Sequence, residues 1–251
     1  MPTLQQLIGL PILLLLLAAC DKPTTPTRAD PEAGSGAPDV ELGAAGTDDV
    51  EAAGEAFADA ELFFEFNATD DDLGLQLFVD SDDGWKRVRV LDPRRREMLL
   101  FQTAGRLSGL GITELRFESA EPAPGEVLAL FPPGEYRFRG RTVEGDYLAS
   151  AATLSHDFPA APTFSPSDGE VVDARNTVVE WSAPGAEQVE IIIEQDELEH
   201  VLDVTLSGDT DRLRVPGQFL KPGREYKIEV LSTGENGNRI ISESTFRTAP
   251  E

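Results

Sequence analysis

The sequence predicts an all-β protein: two tandem β-sandwich domains that follow a leader and an acidic linker. Three observations predict it. Beyond residue 60 no sustained 3.6-residue hydrophobic period marks a long helix. Short runs rich in β-branched and aromatic residues recur there, separated by Gly, Pro, Asn and Asp. The roughly 190 residues left after leader and linker suffice for two small domains.

The leader comes first. Residues 7–19, LIGLPILLLLLAA, are apolar and uncharged. Such a run suits a signal-peptide core and falls short of the roughly 20 residues that span a bilayer. It ends at Cys20, the only cysteine of the 251-residue chain, which excludes an internal disulfide and a shared Cys-based metal site. Leu17-Ala18-Ala19-Cys20 resembles the lipobox of bacterial lipoproteins. The resemblance implies that residues 1–19 are a lipoprotein signal peptide, cleaved before Cys20. It further implies a diacylglycerol thioether on Cys20, fatty acylation (palmitate or similar) of the new amine, and a place in the bacterial cell envelope. Several acyl chains anchor stably where one is marginal, each buried CH₂ contributing about 0.8 kcal/mol. The segment MPTLQQ departs from the pattern in having no Lys or Arg. Asp21 resembles an inner-membrane retention signal of enteric bacteria, and both membranes stay open.

Residues 20–59 read as an acidic tether. Ala, Gly, Pro, Thr, Asp and Glu dominate, and acids far outnumber Lys22 and Arg28. Such a segment has too little apolar surface to offset its ordering entropy, so disorder is expected. The whole chain carries 46 acidic against 21 basic residues, a formal charge of −25. This excludes nucleic acid as a partner, since phosphate backbones require a basic surface.

The first sandwich is expected over 60–158. ELFFEFN (61–67), LGLQLFVD (73–80) and WKRVRVL (85–91) read as strands, and Asp83-Gly84 carries the chemistry of a two-residue hairpin turn. Regular alternation across 85–91 would place Trp85, Arg87, Arg89 and Leu91 on one face. Residues 112–131 fit no single strand and suggest a short helix. EYRFRGRTV (135–143) and YLASAATL (147–154) flank Glu144-Gly145-Asp146 and read as a hairpin. A Pro-rich joint, DFPAAPTFSP (157–166), follows.

The second domain is expected over 159–251. NTVVEWSAP places Trp181 at the end of a strand-like run, AEQVEIIIEQ and HVLDVTL follow as strands, and LKPGREYKIEV closes the pattern. Trp181 together with Leu220, Pro222, Gly223 and Tyr226 resembles a fibronectin type III domain. The resemblance implies a core tryptophan and a tyrosine corner, in which the ring fills the core edge and the hydroxyl bonds nearby backbone. Leu130-Phe131-Pro132-Pro133-Gly134-Glu135-Tyr136 repeats the Leu, Pro, Glu and Tyr of Leu220–Tyr226 at equal spacing. Tyr136 is therefore expected to sit at a second, divergent corner.

Three constellations invite chemistry. Asp70, Asp71 and Asp72, with Asn67, form a carboxylate cluster of the kind calcium takes, as do Asp80, Asp82 and Asp83. Neither has EF-hand spacing, and a strand of seven residues holds the two clusters about 23 Å apart. Lys86, Arg87, Arg89, Arg94, Arg95 and Arg96 concentrate basic charge in an acidic chain. They suit the chain's own acidic tether, anionic lipid or acidic polysaccharide. Ser155-His156-Asp157 is contiguous, whereas a catalytic triad converges from separate positions. Two histidines are too few for a histidine-rich zinc site, and no P-loop, G-x-S-x-G or dinucleotide fingerprint is present.

The expectation is a non-enzymatic envelope lipoprotein without a cofactor, displaying sandwich modules for protein binding or scaffolding. The alternatives are a calcium-, polyanion- or polysaccharide-binding first domain, and a spacer subunit of an envelope complex. The aromatic supply for a sugar platform is thin, which favours a protein partner. The oligomeric state stays open.

Overall fold

The computed structural model describes residues 54–250. The leader, Cys20 and the tether up to residue 53 lie outside the described residues, whereas the end of the segment expected to be disordered, 55–59, is ordered: Glu55 bridges Leu148 and Phe57 is buried in the first core. The rest is almost entirely strand.

Six strands and a short helix build the first half: β1 (Asp59–Asn67), β2 (Asp72–Leu91), β3 (Glu97–Gln102), β4 (Ile112–Glu118), α1 (Pro124–Leu130), β5 (Gly134–Thr142) and β6 (Tyr147–Leu154). One layer is β1–β2–β4, using residues 72–80 of β2. The other is β3–β2–β5–β6, using residues 87–91 of the same strand. Alternation explains the core between them. Leu73, Leu75, Leu77 and Val79 point inward from one layer, and Val88, Val90, Tyr136 and Phe138 meet them from the other. Helix α1 starts on Pro124, whose missing N–H is no loss in a first turn, and buries Val127 in that core.

The hairpin expected at Asp83-Gly84 does not form. Residues 73–80 and 85–91 belong to one 20-residue strand that passes from one layer to the other, with its pairing register interrupted between Asp80 and Trp85. Gly84 serves a crossing rather than a turn. A Cβ there would lie 2.7 Å from the Leu110 carbonyl oxygen, and the Gly84 carbonyl accepts from Val143 N–H at 2.8 Å. The regular alternation expected over 85–91 also fails. Trp85 pairs with Thr142 and Arg87 with Arg141, so Lys86 is an extra residue. This bulge turns Trp85 into the core, where it is fully buried, while Arg87 and Arg89 face outward.

The second half is a fibronectin type III-like sandwich. Its small sheet is β12–β9–β7, from β7 (Thr163–Ser165), β9 (Val178–Ser182) and β12 (Arg212–Arg214). The larger sheet is β11–β10–β13–β14, from β10 (Gln188–Gln195), β11 (His200–Ser207), β13 (Glu225–Thr233) and β14 (Arg239–Thr248). The short β8 (Glu170–Val172) runs parallel to the end of β14. Val179, Trp181, Ile191, Ile193, Tyr226 and Phe246 share the core.

The two halves share a sheet. β1 runs parallel to the start of β14, with Glu65 opposite Arg239, Phe66 opposite Ile240 and Asn67 opposite Ile241. Asn238, fully buried just before β14, supplies the clamp. Its Oδ1 accepts from Phe64 N–H at 2.9 Å, and its Nδ2 donates to the carbonyls of Ser155 (2.9 Å) and Asp157 (2.8 Å).

Candidate functional site

Two alternating segments build an arginine face. In Arg87-Val88-Arg89-Val90 the valines go to the core and the arginines outward, and in Tyr136-Arg137-Phe138-Arg139-Gly140-Arg141 the pattern repeats. Antiparallel pairing sets Arg87 opposite Arg141 and Arg89 opposite Arg139, with Arg137 opposite Leu91. Directly opposed residues share a face, so five guanidiniums converge on the outside of one sheet. Neighbouring strands extend the rows: Gln102 and Tyr147 flank the first, Leu100 and Ala149 the second.

Each cation is oriented by its surroundings. Arg89, 8% exposed, donates Nε–H to Glu97 at 2.6 Å, while its Nη1 has no hydrogen-bond partner among the described residues. Arg141 donates to the Tyr147 hydroxyl at 2.8 Å and lies 3.9 Å over that ring. Arg137 donates to Glu135 at 2.7 Å. Arg139 donates to the Phe138 carbonyl at 2.8 Å, and its pKa is pushed down by burial and then by the Arg137 charge.

The remaining basic residues behave differently. Lys86 sits at the bulge, its ammonium 3.5 Å from the Val143 carbonyl. Arg94, Arg95 and Arg96 form the exposed turn from β2 to β3. The buried Asp92 organises that turn, accepting from Arg94 N–H, Arg96 N–H and Arg96 Nε. Burial raises the Asp92 pKa, but the hydrogen bonds and charge of Arg96 outweigh it and the net shift is downward. Arg96 is thus a structural partner of Asp92. The three arginines of β5 are not singled out by strand alternation alone, which marks only a strand. Their sequence signal is the match of R-x-R-x-R at 137–141 with R-x-R at 87–89.

The acidic residues gather elsewhere. Asp70 and Asp71 are exposed in the turn from β1 to β2, where Asn67 Oδ1 accepts from the N–H groups of Thr69 and Asp70. Asp70, Asp71 and Asp72 do not form a set of converging oxygens. Among the described residues the carboxylates that converge within 4.8 Å are those of Glu65, Glu118 and Glu121. Glu65 lies at the junction of the halves, 3.8 Å from Arg239. Burial pushes its pKa up to about 7 against the pull of Arg239, with Glu118 and Glu121 adding to the rise. Nearby, Lys227 holds Glu229 at 2.7 Å and Glu243 at 2.5 Å, and Thr69 Oγ1 accepts from Glu243 N–H at 2.9 Å.

The histidines do not join a catalytic set. Ser155 Oγ bonds Asp157, whereas His156 Nε2 lies 2.8 Å from the Phe131 carbonyl. His200 opens β11 with its ring 5.9 Å from that of Phe219. Trp181 and Leu220 are buried in the second core. Pro222 and the left-handed Gly223 (φ 68°) turn the chain into β13. Tyr226 and Tyr136 are both buried, each with its hydroxyl on backbone a few residues upstream.

No protein-family model matches the chain, and no curated protein is similar enough to match. Solved structures of low likeness do match. A two-domain fibronectin type III segment of chicken tenascin is 13% identical at a TM-score of 0.30, over 74% of this chain and 96% of that one. The FN1–FN3 domains of chicken CNTN1 are 13% identical at 0.33, over 77% and 69%. A tetra-tandem repeat from the extending region of a large adhesion protein is 13% identical at 0.28 over 74% of this chain, which spans 48% of that structure. Scores at this level carry no functional argument, and the fold assignment stands on the strand pairing described above.

Proposed function

We propose that this protein is a non-enzymatic binding or scaffold module of the bacterial cell envelope, held to a membrane through lipid on Cys20. The observation that carries the reading is the shared sheet. Parallel pairing of β1 with β14 and the buried Asn238 clamp tie two sandwiches together, so surfaces from both are presented in a fixed relation. Presentation of fixed surfaces is what binding and scaffolding require, and Ser155 and His156 are engaged in local structural bonds. The lipobox-like Leu17–Cys20 supports the anchor, and a protein partner fits better than a glycan given three tyrosines and two tryptophans in the chain.

The test is in-cell crosslinking of the full-length chain in its native host, with a Cys20→Ser control, read by mass spectrometry alongside fatty-acid labelling. The expected result is a discrete protein partner captured by the labelled, anchored chain and lost with Cys20→Ser. Absence of fatty-acid label on Cys20 would refute the anchor, and absence of any reproducible partner would refute the scaffold.

A further inference from the structure

The loop from β3 to β4 carries apolar side chains that the fold does not use. Leu100, Phe101, Leu107 and Leu110 are four of the eight large hydrophobics that stand exposed among the described residues, and they fall within eleven positions. Single surface hydrophobics are ordinary, whereas a concentration of them marks a contact site. Leu110 is the most exposed of the eight, at 76%. The loop lies within residues 98–113, MLLFQTAGRLSGLGIT, the longest run without Asp or Glu beyond the leader of this acidic chain. Its backbone is pinned at both ends. Thr103 N–H donates to the Lys86 carbonyl at 2.9 Å, and Gly111 packs so closely on Gly84 that a Cβ on it would lie 2.7 Å from the Gly84 carbonyl carbon. Between these points Gly105–Gly109 form a 3₁₀ turn with no buried residue, and Leu110 N–H donates to the Leu107 carbonyl at 3.1 Å. A fixed backbone therefore presents both leucines to the outside.

Position selects what covers them. β1 starts with Asp59 opposite Asp80, just before the β2 crossing. Ile112 at the start of β4 and Thr142 at the end of β5 both pair with Trp85, just after it. The crossing, the β3–β4 loop and the β5–β6 hairpin therefore share one pole of the first sandwich. The chain from Cys20 enters at that pole, where Glu55 N–H donates to the Tyr147 carbonyl at 3.0 Å at the foot of the same hairpin. The second half leaves from the other pole, where Asn67 at the end of β1 pairs with Ile241. The nine residues of β1 separate the poles by roughly 30 Å. The 34 residues from Cys20 to Ala53 reach at most about 120 Å, so they permit many orientations without choosing one. The leucines choose. A tether keeps the bilayer at high effective concentration, and a few apolar side chains then suffice for contact with its interface. Asp82, Asp83, Glu144 and Asp146 are exposed at the same pole, so anionic headgroups give no attraction and the contact is an apolar one with neutral lipid.

We propose that the β3–β4 loop seats this pole of the first sandwich on the bilayer to which Cys20 holds the chain, with Leu107 and Leu110 in the lipid interface and the second half on the side away from the membrane. This rests on the reading of Cys20 as the lipid anchor and adds which end of the protein meets the membrane.

The test couples the single cysteine of the full chain to a maleimide lipid in vesicles of phosphatidylcholine with brominated acyl chains, which quench tryptophan on contact. Leu110→Trp places a reporter in the loop. Leu130→Trp places one at the opposite pole, where Leu130 is exposed at the end of α1. Trp85 and Trp181 are buried and give a common background. Leu107 and Leu110 lie outside both cores, and each variant is checked for unchanged melting before use. The Leu110→Trp chain should lose most of its added emission and shift the rest to the blue at any salt concentration, while the Leu130→Trp chain keeps its emission. Adding Leu107→Asp to the Leu110→Trp chain should abolish the quenching. Equal quenching of the two reporters, no quenching of the loop reporter, or quenching unmoved by Leu107→Asp would overturn the proposal. Loss of a crosslinked partner in cells through Leu107→Asp, without quenching in vesicles, would replace the bilayer with a protein surface. Fatty-acid labelling in cells reports separately on the anchor. Label on Cys20 without quenching refutes the loop contact alone, and quenching without label refutes the anchor alone.

Discussion

The two tyrosine corners share a sequence pattern and differ in how they close. In the second, Leu220 is 2% exposed and lies in the core, while the Tyr226 hydroxyl accepts from Lys221 N–H at 2.7 Å. In the first, the aligned Leu130 is 69% exposed at the end of α1, and Val127 takes the inward place. The helix changes the hydrogen bond as well. The residue aligned with Lys221 is Phe131, whose N–H already donates to the Val127 carbonyl at 3.1 Å. Tyr136 therefore donates instead, to the Pro132 carbonyl at 2.9 Å. The turn shifts for the same kind of reason. Gly223 adopts φ 68°, but Pro133 stands at the aligned place and cannot, so the positive φ moves to Gly134 (140°). The motif fixes where the ring goes; the preceding segment decides what its hydroxyl does.

The aligned leucines offer the largest break between the corners. Leu220→Ala removes a buried side chain and should cost about 2–5 kcal/mol. Leu130→Ala touches an exposed one and should stay within about 0.5 kcal/mol. Urea unfolding of the two variants measures the gap, and equal costs would mean that the corners bury their leucines alike.

Asn238 tests whether the halves act as one. Asn238→Ala leaves Phe64 N–H and two carbonyls without their partner and should cost about 3 kcal/mol. Because those bonds join the halves, the single unfolding transition should split in two in calorimetry. One unchanged transition would show that the β1–β14 pairing suffices alone.

The junction also predicts an inverted pH dependence. Glu65 has a folded pKa of about 7, raised by burial, against an ordinary value of 4.5. Between these values the folded chain binds the proton and the unfolded chain does not. Stability from this group is thus fully present below about 4.5 and lost as pH rises through 7. The effect is on the order of 2 kcal/mol. Glu190 shifts in the same direction, through burial and then Asp203. Stability should rise as pH falls from 8 to 5, and Glu65→Gln should flatten the rise. A wild-type curve that falls over that range would mean that Glu65 stays ionised beside Arg239.

How much of this was legible depends on the range of the cause. Strands, the 144–146 hairpin and the second corner follow from local alternation and turn residues, and the sequence displays them. The continuous β2 was not legible, because Asp83-Gly84 has hairpin chemistry and only the distant Leu110 and Val143 show that the glycine serves a crossing. The inward turn of Trp85 depends on the bulge at Lys86, which only pairing with β5 defines. The arginine face was half legible, as one strand of a pair. Asn238 had no signal at all, since its value lies in carbonyls some 80 residues away.

The hydroxyls themselves give the finest test of the comparison. Tyr226→Phe strips the acceptor from a backbone N–H, and Tyr136→Phe strips the donor from a carbonyl. Orphaned N–H groups are tolerated less well than under-satisfied carbonyls, whose second lone pair still finds partners. Tyr226→Phe should therefore cost about 1 kcal/mol and Tyr136→Phe roughly half of that. Burial raises the Tyr136 pKa to about 12, so its hydroxyl remains a donor across the working pH range and the cost should not vary with pH. A measurable loss at both positions would make them one device built in two polarities. A loss at Tyr226 with none at Tyr136 would reduce the first corner to a packed ring, and the shared spacing would then reflect two Pro-containing turns rather than a repeated corner.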